Sequence, residues 1–98
     1  MTSDEKLALC RTMASNLSTL REKAKLTQDE LADRLGLSRQ TISAIENDKR
    51  DMQWSTFSVL IMFFASNEEI HQIMIAMGII NDSVKSLFSI GAKPKHEI

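Results

Sequence analysis

Apolar residues recur three and four positions apart along most of this chain, which is the spacing of amphipathic α-helices. The first helix is predicted over residues 3–23, with a core stripe that ends in Ala24. A second helix begins at the cap Thr27, and a third begins at the cap Ser38 and ends around Asn47 and Asp48. The core stripe of the first helix consists of Leu9, Met13, Leu17, Leu20 and Ala24.

The second and third helices meet with almost nothing between them. Gly36 separates them, and glycine ends a helix at low cost because it readily adopts the left-handed conformation. Ala32 is small where two helices would cross closely. The apolar positions of the pair are Leu31, Ala32, Leu35, Leu37, Ile42 and Ile45. This pattern is typical of a helix-turn-helix, whose second helix enters the major groove of DNA.

The remaining chain predicts three more helices. The fourth covers residues 55–64, the fifth follows Asn67 and ends at Gly78, and the last begins at 82 or 83 and ends at Ile90, with Val84, Leu87 and Phe88 turned inward. The fourth has no clean polar face, which predicts that the chain's own tail or a second copy covers it.

The predicted fold class is therefore all-α, a bundle of five to six helices. Residues 1–66 would form the helix-turn-helix domain, residues 67–90 a helical extension for dimerisation, and residues 91–98 a flexible tail.

Composition narrows the possible functions. The chain has 12 Lys and Arg against 13 Asp and Glu, a net charge of −1. Any DNA binding must therefore depend on a few well-aimed groups and not on a general positive field. No apolar run approaches the ~20 residues of a membrane span, and no signal peptide is visible. A single cysteine, Cys10, predicts a small buried residue in a cytoplasmic protein.

A resemblance sharpens these expectations. Residues 17–65 resemble the phage repressor and Cro-like proteins of the XRE family, whose fold is of the lambda-repressor-like type. The matching positions are Arg21, the run Thr27 to Ala32, Gly36, Ser38, Ile42, Ser43, Ile45, Glu46 and Asn47. Two positions depart from the family pattern, because Lys25 and Asp48 stand where glycine is common. Asp48 also brings a negative charge close to the expected phosphates.

The resemblance implies roles for positions throughout the helix-turn-helix segment. Base contacts would come from Arg39, Gln40, Ser43 and Ala44, and phosphate contacts from Thr27, Gln28, Ser38, Thr41, Asn47, Lys49 and Arg50. Arg21 and Glu46 would form a structural salt bridge. The first residues of a recognition helix reach deepest into the groove. There, arginine binds guanine O6 and N7, and glutamine binds adenine N6 and N7.

The expected function is that of a sequence-specific transcriptional regulator, most simply a repressor, that binds double-stranded DNA as a homodimer. The dimer interface is predicted to contain Val59, Met62, Ile70, Ile73, Met74, Met77, Ile79 and Ile80. One alternative is an antitoxin whose residues 66–98 also bind a toxin. Another is a protein-interaction module that has lost DNA binding. No catalytic group, cofactor or metal site is expected, and His71 and His96 are predicted to be solvated.

Overall fold

The computed structural model describes residues 1–90 of the chain and contains six α-helices and no strand within that range. The helices are α1 Ser3–Lys23, α2 Gln28–Leu35, α3 Arg39–Glu46, α4 Trp54–Ala65, α5 Glu68–Ala76 and α6 Asp82–Phe88. This confirms the predicted all-α bundle. The predicted flexible tail, 91–98, and His96 lie outside the described residues. No helix within residues 1–90 is both long and apolar enough to cross a membrane.

Side-chain caps fix where the first three helices begin. Thr27 caps α2 by accepting a hydrogen bond from the backbone N–H of Glu30, and the Glu30 carboxylate accepts one from the N–H of Thr27. Thr2 and Glu5 form the same reciprocal pair at the start of α1. Ser38 caps α3 through the N–H of Thr41. Each cap satisfies N–H groups that have no partner inside the helix.

One hydrophobic core joins all six helices. The predicted stripe of α1 lies in it, with Leu9, Met13, Leu17 and Leu20 buried and Ala24 partly buried. α2 and α3 contribute Leu31, Ala32, Ile42 and Ile45, and α4 contributes Phe57, Leu60, Ile61 and Phe64. Cys10 is buried here as well, as the sequence predicted. The helix-turn-helix therefore rests on a continuous apolar base.

The C-terminal extension packs against the same core. Aromatic contacts anchor its end, because the Phe88 ring of α6 lies tilted with its centroid 6.0 Å from that of Trp54 at the start of α4. Trp54 in turn stacks on Phe57 at 4.8 Å. Leu87, predicted to face inward, is instead 54% exposed. The α6 helix ends at Phe88, because Ser89 adopts a left-handed conformation that returns Ile90 to the core.

Half of the predicted dimer interface needs correction. Ile70, Met74, Ile79 and Ile80 are buried in the core of the single chain. The sequence pattern identified them as apolar but could not distinguish an internal surface from an intermolecular one. The exposed members are Val59 and Met62 on α4, while Ile73 and Met77 are half-buried.

Candidate nucleic-acid interface

The turn between α2 and α3 sets the angle of the candidate recognition helix. Gly36 has φ 69°, a left-handed value, and its N–H bonds to the carbonyl of Ala32. Leu37 and Ser38 then lead directly into α3. Ile42 and Ile45 hold α3 onto the core from beneath. The opposite side of α3 is left facing outward.

The four predicted base-contacting residues share this outward side. Arg39 and Gln40 are exposed in the first turn, and Ser43 and Ala44 lie one turn later and are half-buried. Positions 39, 40, 43 and 44 fall on one face because residues four apart are neighbours on a helix. The face offers two long hydrogen-bonding side chains at its N-terminal end and two small residues behind them.

A chain of polar contacts runs along one flank of α3. Arg50 donates from Nη1 to Thr41 Oγ1 at 3.0 Å, and that hydroxyl lies 2.8 Å from Ser38 Oγ. A guanidinium and two hydroxyls are thus gathered beside the first turn of the helix. Three more of the predicted phosphate-binding residues, Thr27, Asn47 and Lys49, are exposed. Asn47 Nδ2 lies 3.3 Å from Ser43 Oγ.

The far end of α3 is held by a charged cluster. Glu46 accepts hydrogen bonds from Arg21 Nε at 2.7 Å and Nη2 at 3.1 Å. Arg21 also donates from Nη1 to the carbonyl of Leu26 at 2.9 Å. The hydrogen bond with Glu46 raises the pKa of Arg21 above its ordinary value. This bidentate pair ties α3 to α1 and fixes the tilt of the helix.

Gln28 belongs to the same cluster. Its Nε2 donates to Glu46 Oε1 at 3.0 Å, and the side chain is half-buried. Sequence reasoning gave Gln28 a phosphate contact together with a bracing role, and the structure places its amide on Glu46. An amide nitrogen carries two N–H donors, so one remains for a phosphate.

One contact on the interface was missed by the sequence analysis. Arg39 Nε lies 3.7 Å from Asp29 Oδ1, which joins the first turns of α2 and α3. The short turn joins the C-terminal end of α2 to the N-terminal end of α3, so the distance between their first turns depends on the angle at which the two helices cross. Residue spacing alone gives no signal for the pair.

Both departures from the family pattern adopt left-handed backbone. Lys25 has φ 61° and Asp48 has φ 60°. Glycine is common at these positions because it reaches this conformation without steric cost. The two side chains are exposed, and Asp48 is next to the candidate phosphate contact Lys49.

Within residues 1–90, no three His, Cys, Asp or Glu side chains cluster in a way that would hold a metal ion. His71, predicted to be solvated, is half-buried on α5.

Comparison with known proteins gives one match. A family model described as helix-turn-helix matches residues 17–51, which include the end of α1, all of α2 and α3, and the start of the following loop. No curated protein and no solved structure matches the chain. The matched segment contains every residue that sequence reasoning assigned to DNA contact.

Proposed function

We propose that this protein is a transcriptional repressor of the XRE type that binds a palindromic operator as a homodimer, because a helix-turn-helix family model matches residues 17–51. The proposal assigns base reading to α3 and places the protein's action in the cytoplasm. The family is generally non-enzymatic, and the proposal includes no catalytic step.

The outward face of α3 is the observation that carries the proposal. Arg39 and Gln40 stand exposed at the N-terminal end of a helix that is fixed at both ends, by the turn at Gly36 and by the Glu46 cluster. A fixed helix can present its side chains to base edges with little reorganisation. Each good bidentate contact discriminates between bases by about 1–3 kcal/mol.

The charge of the chain favours sequence-specific DNA binding over general electrostatic binding. Residues 21–50 contain seven basic and six acidic side chains, whereas the whole chain has a net charge of −1. Affinity from phosphate contacts is therefore limited to a few groups, chiefly Lys49 and Arg50. Base contacts and a second copy of the chain are needed to reach the affinity of a genomic regulator.

Exposed apolar side chains on α4 support the proposed homodimer. Val59 and Met62 are 42% and 52% exposed and lie on one face, three residues apart. The described chain measures 43 × 30 × 23 Å. Recognition helices that read successive turns of DNA lie about 34 Å apart, so a dimer formed through α4 is required to place its two copies of α3 at that separation.

Selection of bound duplexes from a random DNA pool tests whether the protein recognises a specific DNA sequence. Wild-type protein is expected to enrich a palindrome, and Gln40→Ala is expected to lose preference at one position of each half-site. Gln72→Ala is the matched control, because Gln72 is also an exposed glutamine but lies on α5. If wild-type protein enriches no sequence, the interaction-module alternative replaces this proposal.

Sedimentation tests the dimer. Met62→Glu is expected to give a monomer with weaker operator binding, because a charge would be placed at the centre of the apolar contact. Ile75→Glu is the control, since Ile75 is an exposed apolar residue on α5 outside the proposed interface. A Met62→Glu protein that sediments as a dimer would show that α4 is not the contact.

A further inference from the structure

We propose that Asp29 is a positioning residue for Arg39 and that it determines how strongly the protein prefers guanine at one operator position. This inference rests on the proposed function, because it assumes that α3 reads DNA. Asp29 is the second residue of α2 and Arg39 is the first of α3. The pair therefore spans the two helices of the motif at the end that would enter the groove.

The geometry specifies which part of the guanidinium is used. Arg39 Nε lies 3.7 Å from Asp29 Oδ1, a separation at which charge attraction acts but a short hydrogen bond is not formed. Nε is therefore the guanidinium nitrogen nearest to Asp29. The two terminal nitrogens donate no hydrogen bond to any residue within 1–90, and they are the parallel donors that match guanine O6 and N7.

Both side chains are well exposed, Arg39 at 60% and Asp29 at 78%. Such a surface pair adds little to folding stability. It does restrict a long side chain that has many rotamers. An arginine that is already oriented loses less conformational entropy when it binds a base. The resulting increase in affinity is expected only where the base is guanine, because guanine is the base that its parallel donors match.

The opposing possibility is that Asp29 only repels the DNA backbone. In that case its removal strengthens binding to every sequence equally. The two roles differ in base preference, so they can be separated without reference to absolute affinity. Asp33 provides the matched control, because it is an exposed aspartate one turn further along α2.

The test is duplex selection with wild type, Arg39→Ala, Asp29→Asn, Asp29→Glu and Asp33→Asn. Arg39→Ala identifies the operator position that Arg39 reads. Asp29→Asn is expected to reduce guanine preference at that position by at most about fivefold, because an exposed ion pair can orient the arginine by no more than its own interaction free energy. Asp29→Glu is expected to retain most of the preference, and Asp33→Asn all of it.

Unchanged guanine preference in Asp29→Asn, with affinity raised equally for all duplexes, would overturn the inference and leave the proposed function intact. The same holds if Arg39→Ala changes no position. If wild-type protein enriches no sequence, the proposed function fails and this inference fails with it. Melting temperatures of the aspartate variants are expected to match wild type, which separates positioning from unfolding.

Discussion

Replacing Glu46 with alanine is expected to destabilise the protein far more than it alters base preference. The Glu46 carboxylate is 6% exposed and accepts three hydrogen bonds, two from Arg21 and one from Gln28. Alanine would leave the guanidinium of Arg21, a side chain that is only 14% exposed, without its counter-charge. The bond from Arg21 to the Leu26 carbonyl would remain.

The magnitude follows from this partial burial. Breaking a buried ion pair from one side costs about 3–5 kcal/mol, because the remaining charge is uncompensated. The surviving bond to Leu26 favours the lower end, about 3 kcal/mol. Domains of this size unfold with about 5–15 kcal/mol in total. The melting temperature is therefore expected to fall by roughly 12–24 °C, at about 4–8 °C for each kcal/mol.

Thermal and urea unfolding of three variants provides the assay. Glu22→Ala is the control, because Glu22 is an exposed glutamate in the last turn of α1, and it is expected to cost under about 0.5 kcal/mol. The double variant Arg21→Met/Glu46→Leu is expected to recover most of the lost stability, since apolar replacement of both partners removes the stranded charge. A Glu46→Ala protein that melts within about 3 °C of wild type would show that the Arg21 charge is not left uncompensated in the folded protein.

Backbone strain, thiol burial and the first helix cap each allow a further test. Lys25→Gly is expected to raise the free energy of unfolding by about 0.5–1 kcal/mol, because glycine relieves the left-handed strain at φ 61° but adds freedom to the unfolded chain. Lys25→Ala, measured by the same urea titration, should give no gain in the free energy of unfolding. Equal gains from both variants would contradict the strain argument. Burial raises the pKa of the Cys10 thiol, so its alkylation at neutral pH should be slow and should accelerate only with unfolding; rapid labelling of the native protein would show that the thiol is accessible. The hydrogen bond from the Thr2 backbone lowers the pKa of Glu5, so the cap contributes stability above the ordinary pKa of glutamate and loses it as pH falls through the lowered value. NMR titration should find that pKa below its usual range, and Thr2→Pro, which removes the N–H donor, should return it upward; a normal pKa in wild type would contradict the cap.

Interactions between residues close in sequence were sufficient to predict the helices. Thr27, Ser38 and Gly36 determine where α2 begins, where α3 begins and where the turn lies, and each acts within three or four residues of chain. The core stripe of the first helix could be predicted equally well, because its spacing repeats over about four helical turns. Contacts between segments distant in sequence were harder to predict than the helices themselves. The sequence marked Ile70, Met74 and Ile79 as apolar, but only the packed structure shows that a single chain buries them.

The candidate site also contains some features that the sequence suggested and others that only the packed structure shows. A resemblance implied the Arg21–Glu46 pair and a bracing role for Gln28, but neither periodicity nor composition gives the shared acceptor Oε1 of Glu46. The Arg39–Asp29 contact depends on the crossing angle of α2 and α3 and on side-chain direction. These quantities arise from tertiary packing, which propensity and spacing do not encode.

The affinity of the wild-type protein for its selected duplex, compared with a shuffled duplex at several salt concentrations, decides whether α3 reads a DNA sequence. Both affinities are expected to fall as salt rises, since each phosphate contact releases counterions. The protein is expected to bind the selected duplex at least about a thousandfold more tightly than the shuffled one at every salt concentration. Equal binding to both duplexes, or no salt-sensitive binding to either, would contradict the claim that α3 reads a DNA sequence.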